Sequence, residues 1–237
     1  MFSESAKRFY KRAEVFEFDC TYGVALDGRS VRTPSGNELR LPSEALAEAV
    51  ATEWQAQEDE ISPGSMPLMQ LACTAIDRVS PNRDAIIEQT AAYGGSDLLC
   101  YRSDGPDELV AAQEEMWQPV LDWAKDTLTA PLKLASGVMH VEQPTDSLAA
   151  LRNELGGLDV WQLTAVTHMT QVMGSLLLAL AVLHGWRDWN LAFEASVLDE
   201  TFQASRWGED REAMRRRKAS YEEVRWVVKF LELSFTA

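Results

Sequence analysis

Residues 15–41 read VFEFDCTYGVALDGRSVRTPSGNELRL, and this stretch decides the fold of the first part of the chain. Strand-like runs lie at 15–18, 22–26, 30–33 and 39–41, and Asp27-Gly28 separates the second run from the third. Both central residues of a type I′ hairpin turn need a positive φ, which Asp-Gly adopts readily. The stretch therefore predicts a small antiparallel sheet.

Helical periodicity dominates after Pro42. Ser43 is the expected N-cap of a helix near 43–58, because Leu46, Val50 and Trp54 then share one face. Further helices are predicted near 67–79, 82–93, 107–125, 146–155, 160–184, 188–206 and 210–234. Two strand-like pieces, 97–102 and 132–141, interrupt this series, and they are expected either to extend the sheet or to form a ribbon of their own.

The order of these elements predicts the fold class. Strands come first and helices later, and neither an internal repeat nor a regular alternation of strands with helices is visible. We expect an α+β fold, with a small N-terminal antiparallel β-rich domain followed by a larger, mostly α-helical domain. The predicted domains are residues 1–60, β-rich with one following helix, and residues 61–237, helical with short strand-like insertions.

The charge distribution favours a protein partner. The 237 residues carry a net charge of −15, which repels nucleic-acid phosphates and anionic lipid surfaces. Residues 206–229 are an exception, with eight Lys or Arg against five Asp or Glu. The most apolar run, 172–183, is shorter than the roughly 20 residues that a membrane span needs. We therefore expect no nucleic-acid partner and no membrane span.

Cysteine usage and the N-terminus predict a protein that is either cytoplasmic or already processed. Cys20, Cys73 and Cys100 are odd in number and far apart, so a disulfide framework is not expected and a reducing compartment is. Residues 1–12 contain basic side chains but neither an apolar segment nor an Arg- and Ser-rich leader, so no signal or transit peptide is evident.

Motifs for metal, nucleotide or covalent chemistry are missing from the sequence. His140, His168 and His184 have no partner at metal-ligand spacing, and there is no Gly-x-Ser-x-Gly elbow. Gly94-Gly95 and Gly156-Gly157 lack the pattern of a phosphate-binding loop and are expected in turns or at helix ends. We expect no cofactor, no metal and no catalytic residue.

Two other functions are kept as alternatives. Asp199 and Glu200 could serve a hydrolase or transferase, which a substrate-sized pocket around them would favour. The run Arg215–Lys218 could serve an RNA-binding module, which steeply salt-dependent retention on a polyanion would support. A solvated or partner-facing helix explains the basic run better, because no aromatic residues alternate with it.

A candidate binding surface lies on the predicted helix that starts at Asp188. Its apolar stripe comprises Leu191, Ala195, Leu198 and Phe202. Glu200, Gln203 and Trp207 cluster on another face, roughly 140° away, provided that the helix continues that far. These three residues and Asp199 form the predicted partner-binding site. The alternative is that Gly208 ends the helix and Trp207 packs into a second, smaller core.

The same segment carries a family resemblance. Residues 194–210, with Leu198-Asp199-Glu200, Phe202-Gln203 and Trp207-Gly208-Glu209-Asp210, resemble the C-terminal signature of the F1-ATPase assembly chaperones specific for the alpha subunit. Further motifs resemble that family in the same order: RFYK (8–11), LDGR (26–29) with TP (33–34), EW (53–54) with Gln57, MP (66–67), TAID (74–77) and DLLCYR (97–102). The ordered resemblance covers nearly the whole chain.

The resemblance implies a function. A member of this family is expected to be a monomeric chaperone without a cofactor that binds the unassembled alpha subunit, shields its subunit interface and releases it during F1 assembly. It is not expected to be an enzyme. Glu200 matches an acidic position of the family signature. The family occurs in alphaproteobacteria and in mitochondria, and the lack of an evident leader together with the acidic net charge leads us to expect the bacterial cytoplasm for this chain and the mitochondrial matrix for eukaryotic relatives.

Overall fold

The computed structural model describes residues 6–137 and 140–235. The strands in these ranges are β1 (Ala6–Lys7), β2 (Ala13–Phe18), β3 (Thr21–Leu26), β4 (Arg29–Ser30), β5 (Glu60–Ile61), β6 (Tyr101–Arg102) and β7 (Ala135–Ser136). The α-helices are α1 (Glu44–Gln55), α2 (Pro67–Thr74), α3 (Arg83–Ala91), α4 (Asp107–Thr127), α5 (Thr145–Gly157), α6 (Val160–Met173), α7 (Leu176–Leu183), α8 (Trp189–Ser196), α9 (Leu198–Trp207) and α10 (Arg211–Ser234). The antiparallel strands precede a mostly helical remainder, so the predicted α+β class is confirmed.

The predicted N-terminal sheet is present as β2-β3-β4, antiparallel throughout. β2 pairs with β3 in the register Val15↔Val24, and β3 pairs with β4 in the register Leu26↔Arg29. Asp27 has φ 48° and Gly28 has φ 80°, as the predicted hairpin turn requires. The sequence did not indicate the matching turn between β2 and β3, where Asp19 and Cys20 also have positive φ.

Residues 6–83 and 226–235 form one compact unit. In it, α1 packs on β2 and β3 and buries Leu46, Val50 and Trp54, the face that the sequence predicted. Ser43 caps α1, because its Oγ accepts a hydrogen bond from the Leu46 N–H at 3.1 Å. The short strands β1 and β5 pair antiparallel in the same unit.

Residues 84–225 form the second compact unit, and its core surrounds α7. The residues from Leu176 to Ala181 are fully buried, which explains why this apolar run is not amphipathic. Trp117 of α4 is also fully buried, and its Nε1–H donates to the Ala195 carbonyl at 2.8 Å.

Two helices of the prediction are divided in the structure. The helix predicted at 160–184 is α6 and α7, because Gly174 ends α6 with φ 67° and Ser175 caps α7 by accepting from the Leu178 N–H. The helix predicted at 188–206 is α8 and α9, separated at Val197 with φ −109° and ψ 14°. Its apolar stripe therefore does not run along one continuous helix, and that part of the prediction is wrong.

The two interrupting strand-like pieces are shorter than predicted. In 97–102, Leu98–Cys100 is a 3₁₀ turn capped by Asp97, and only Tyr101–Arg102 is a strand. Of 132–141, Ala135–Ser136 is a strand, while residues 138 and 139 lie outside the described ranges. β6 and β7 pair parallel as a ribbon of their own, which was one of the two expected arrangements.

The domain boundary expected at residue 60 stays a prediction. The first compact unit ends at Arg83, and the second spans residues 84–225. The chain returns to the first unit at Trp226, within α10. In the described part of the chain, every helix is too short or too polar to pass through a membrane.

Candidate partner-binding surface

α9 is fixed to α4 by one of its sides. The Gln113 side-chain amide donates to Asp199 Oδ1 at 2.7 Å, and Arg206 pairs with Glu108 at 3.1 Å. Gln113 and Glu108 belong to α4, whereas Asp199 and Arg206 belong to α9. The two contacts therefore define which side of α9 faces α4. Asp199 is half-buried as a result.

Glu200, Gln203 and Trp207 lie on another side of α9. The spacing i, i+3, i+7 places them within about 60° of one another on a helix of 3.6 residues per turn. All three are exposed, and Trp207 is 77% exposed. Within residues 6–137 and 140–235, none of the three side chains takes part in a hydrogen bond or an ion pair. Gly208 ends α9, as that alternative expected, but an indole this exposed does not pack into a second core.

The carboxylates of the other family-like motifs are engaged inside the fold. Glu53 accepts hydrogen bonds from the Leu68 and Met69 N–H groups at 2.8 and 2.9 Å, at the N-terminus of α2. Its partial burial raises the pKa of this carboxyl to about 7, although the two N–H donors act in the opposite direction. Glu53 therefore holds α2 in place.

Asp97 has the same role in the second unit and is fully buried. It accepts from Ser175 Oγ at 2.7 Å, from the Leu177 N–H at 3.1 Å and from the Leu99 N–H at 3.1 Å. Burial raises its pKa to about 6, and the hydrogen bonds oppose this rise. Asp97 thus joins the 3₁₀ turn that it caps to the start of α7.

Asp77 anchors the loop that follows β4. It accepts from Thr33 Oγ1 at 2.6 Å, from the Ser35 N–H at 2.9 Å and from Asn37 Nδ2 at 2.8 Å. Burial acts to raise the pKa of this carboxyl, but the hydrogen bonds outweigh it and hold the pKa below its usual value. The TP and TAID motifs are therefore structural partners of each other.

A groove of about 690 Å³ separates α8 and α9 from α10, and the sequence did not predict it. Its lining comprises Phe193, Glu194, Val197, Thr201, Ala204, Ser205, Glu209, Met214, Arg217, Lys218 and Tyr221. The available signal was the spacing of Met214, Lys218 and Tyr221, which puts them on one side of α10. The sequence could not show that no helix within residues 6–137 and 140–235 covers that side.

Two of the histidines pair with carboxylates, and the cysteines are unreactive or unpaired. His168 Nε2 meets Glu223 at 2.6 Å, and His184 Nε2 meets Glu154 at 2.8 Å. All three cysteines are free, and burial raises the pKa of both Cys73 and Cys100 to about 12. In the described ranges, no three His, Cys, Asp or Glu residues are grouped closely enough to hold a metal ion.

Comparisons with known proteins agree on one family. The family model "ATP12 chaperone protein" matches residues 7–125. The crystal structure of Atp12 from Paracoccus denitrificans is 43% identical in sequence, with a TM-score of 0.92 over 97% of this chain and 98% of that one. A crystal structure from Agrobacterium tumefaciens is 39% identical, with a TM-score of 0.91 over 96% of this chain and 86% of that one. The mitochondrial protein atp12 of Schizosaccharomyces pombe is 25% identical over 216 residues, 86% of this chain and 74% of its own length.

These similarities define the class of protein as a chaperone. The chain belongs to the ATP12 chaperone family, which is the F1-ATPase assembly chaperone family that the ordered motifs resemble.

Proposed function

We propose that this chaperone binds the unassembled alpha subunit of F1-ATPase and shields its subunit interface until assembly, with Asp199, Glu200, Gln203 and Trp207 in the contact. The observation that supports this most is Trp207, a large aromatic side chain left 77% exposed beside an acid and an amide that bind nothing in the described part of this chain. Tryptophan is enriched at the energetic centres of protein interfaces.

Such a chaperone must shield an exposed subunit interface and later release it. A subunit that awaits its neighbours exposes apolar interface surface, which invites aggregation or wrong pairing. An interface with an aromatic centre and a polar surround gives the moderate affinity that such a chaperone needs, because it must release the subunit when the true neighbour competes. Glu200 and Gln203 supply that polar surround next to Trp207.

The test is Glu200→Lys. If Glu200 meets a basic group of the alpha subunit, reversing its charge weakens binding by about thirtyfold or more, because that group loses its partner and meets a like charge. Stability should change by no more than about 0.5 kcal/mol, because the side chain is exposed. Binding to purified alpha subunit and thermal unfolding are measured on the same samples.

The matched control is Glu48→Lys, the same charge reversal at an exposed position of α1 in the other unit. It should bind the alpha subunit like the unmodified chain. Equal binding by the Glu200 and Glu48 variants would refute the role of Glu200. Lost binding together with a collapsed melting temperature would make Glu200 structural instead.

The enzymatic alternative receives no support from the arrangement of the acids. Asp199 is directed to Gln113 of α4, whereas the next residue, Glu200, lies on the exposed side with Gln203. Neither acid lines the groove of about 690 Å³. A substrate-sized pocket around both acids was the feature that would have favoured a hydrolase or transferase.

A further inference from the structure

The groove between α8, α9 and α10 is apolar at its base. Phe193, Val197, Ala204 and Met214 line it, and Met214 is 36% exposed. Its volume of about 690 Å³ lies within the range of about 300–1,000 Å³ that is typical of binding sites. Such a hollow could hold several side chains of another molecule at once.

The walls of the groove are fixed by polar contacts. The Tyr221 hydroxyl donates to Asn190 Oδ1 at 2.7 Å and joins α10 to α8. Arg217 Nη1 donates to Thr201 Oγ1 at 3.3 Å and joins α10 to α9. The groove therefore exists without an occupant, and a binding partner would not have to order it.

A row of basic side chains runs along α10 beside the groove, and one of them, Lys218, lines the groove itself. The lining also has two carboxylates, Glu194 and Glu209, of which Glu209 pairs with Arg217 at 3.8 Å. Arg211, Arg215 and Lys218 follow each other at i, i+4 and i+7 of the chain, which places them within about 60° of one another on α10. All three are exposed, and in the described part of the chain their side chains form no ion pair. We call these three residues the basic ridge. In a chain of net charge −15, the ridge can attract an acidic group where most of the surface would repel it.

We infer that the groove binds an acidic amphipathic segment of the alpha subunit, with its apolar side chains over Phe193 and Met214 and its carboxylates against the basic ridge. A helix meets both requirements, because apolar residues at i, i+3 and i+7 leave the adjacent face free for acids. This inference rests on the proposed function. It adds a second contact, on the side of α9 that carries Thr201 and Ser205, which adjoins the side of Glu200 and Trp207 at Ala204.

The experiment measures binding of purified alpha subunit to the full chain and to two groove variants. Ser205→Trp fills part of the groove from a position roughly 140° or more from Glu200 and Trp207 on α9, and it should weaken binding by about tenfold, because the segment can no longer enter. Arg211→Glu, Arg215→Glu and Lys218→Glu together should weaken it by about tenfold or more at low salt, and by less as the salt concentration rises. Thermal unfolding of each variant shows whether it is folded.

Two matched controls accompany these variants. Arg216 is exposed and lies roughly 160° from Met214 on α10, so Arg216→Glu should leave binding within about twofold. Ala111→Trp introduces the same side chain at an exposed position of α4 and should also bind like the unmodified chain.

The outcomes separate this inference from the proposed function. If the unmodified chain binds the alpha subunit but folded Ser205→Trp and ridge variants bind equally well, the groove inference is wrong and the proposed function stands. If the unmodified chain does not bind the subunit, both are wrong. If Arg216→Glu weakens binding as much as the ridge variant and the chain is retained on RNA, the basic run binds polyanions instead. A dimer of this chain that Ser205→Trp dissociates would show that the groove holds a second copy, which also overturns the inference.

Discussion

Asp97 and Glu200 both belong to the motifs that resemble the chaperone family, yet their surroundings are opposite. Asp97 is fully buried and accepts three hydrogen bonds from its own chain, whereas Glu200 is exposed and accepts none in the described ranges. The difference shows that the family motifs include both side chains that hold the fold together and side chains that are left free to bind. Structural side chains and binding side chains differ in burial and hydrogen bonding, which cannot be read directly from a sequence.

The largest effect on stability is expected for Asp97→Ala. The change leaves Ser175 Oγ and the Leu99 and Leu177 N–H groups buried without an acceptor, and each such group costs about 1–3 kcal/mol. We expect a loss of about 3–5 kcal/mol in the free energy of unfolding, measured by urea denaturation. Glu200→Ala, measured alongside, should lose no more than about 0.5 kcal/mol. A loss below about 1 kcal/mol for Asp97→Ala would contradict the structural role of this carboxyl.

Much of the fold could be predicted from local signals. Asp27-Gly28 indicated the hairpin and Ser43 indicated the start of α1, because a turn and a helix cap are determined by interactions between residues only a few positions apart. The division at Gly174-Ser175 also had a local signal, a glycine C-cap followed by a serine N-cap, but the apolar run on both sides concealed it. The division at Val197 had none, since a β-branched residue inside an apolar pattern does not mark a helix end.

The candidate site could be predicted only in part. Helical spacing alone placed Glu200, Gln203 and Trp207 on one face, and that grouping survives because all three lie within α9. The contact of Asp199 with Gln113 joins residues far apart in the sequence, so no local pattern could indicate it. The groove depends on which helix side stays uncovered, which is a property of the assembled unit.

A smaller effect on stability is expected for Glu53, and it depends on pH. The pKa of its carboxyl is about 7 in the folded chain against an ordinary value of 4.5, so the folded state binds more protons between these two values. Its contribution to stability is therefore fully present below about pH 4.5 and is lost as the pH rises to about 7. Because this carboxyl is partly exposed, we discount the contribution to about 1–2 kcal/mol.

Glu53→Gln tests this expectation. The amide cannot titrate, so urea denaturation at pH 5, 6, 7 and 8 should show a flatter dependence of the unfolding free energy on pH than the unmodified chain shows. Asp97 also has a raised pKa, of about 6, so part of the slope should remain in the variant below that pH. Parallel curves for the two proteins between pH 5 and pH 7 would show that the Glu53 carboxyl does not carry the effect.

The smallest effect on stability, and a large effect on binding, is expected for Trp207→Ala. The indole is 77% exposed, so its removal should change the free energy of unfolding by no more than about 0.5 kcal/mol. If Trp207 is the aromatic centre of the contact, its loss weakens binding of the alpha subunit by about 2 kcal/mol, or about thirtyfold. Denaturation and binding are measured on the same preparation.

Trp186→Ala is the matched control for this prediction. Trp186 is 40% exposed and stacks on Trp123 at a centroid distance of 5.4 Å, so it is a tryptophan of the same unit that already has a partner in the fold. Its removal should cost more stability than that of Trp207, because the stacking and the buried part of the ring are lost, and it should leave binding unchanged. Equal loss of binding in both folded variants would mean that the alpha subunit responds to any exposed indole, and Trp207 would then have no particular role.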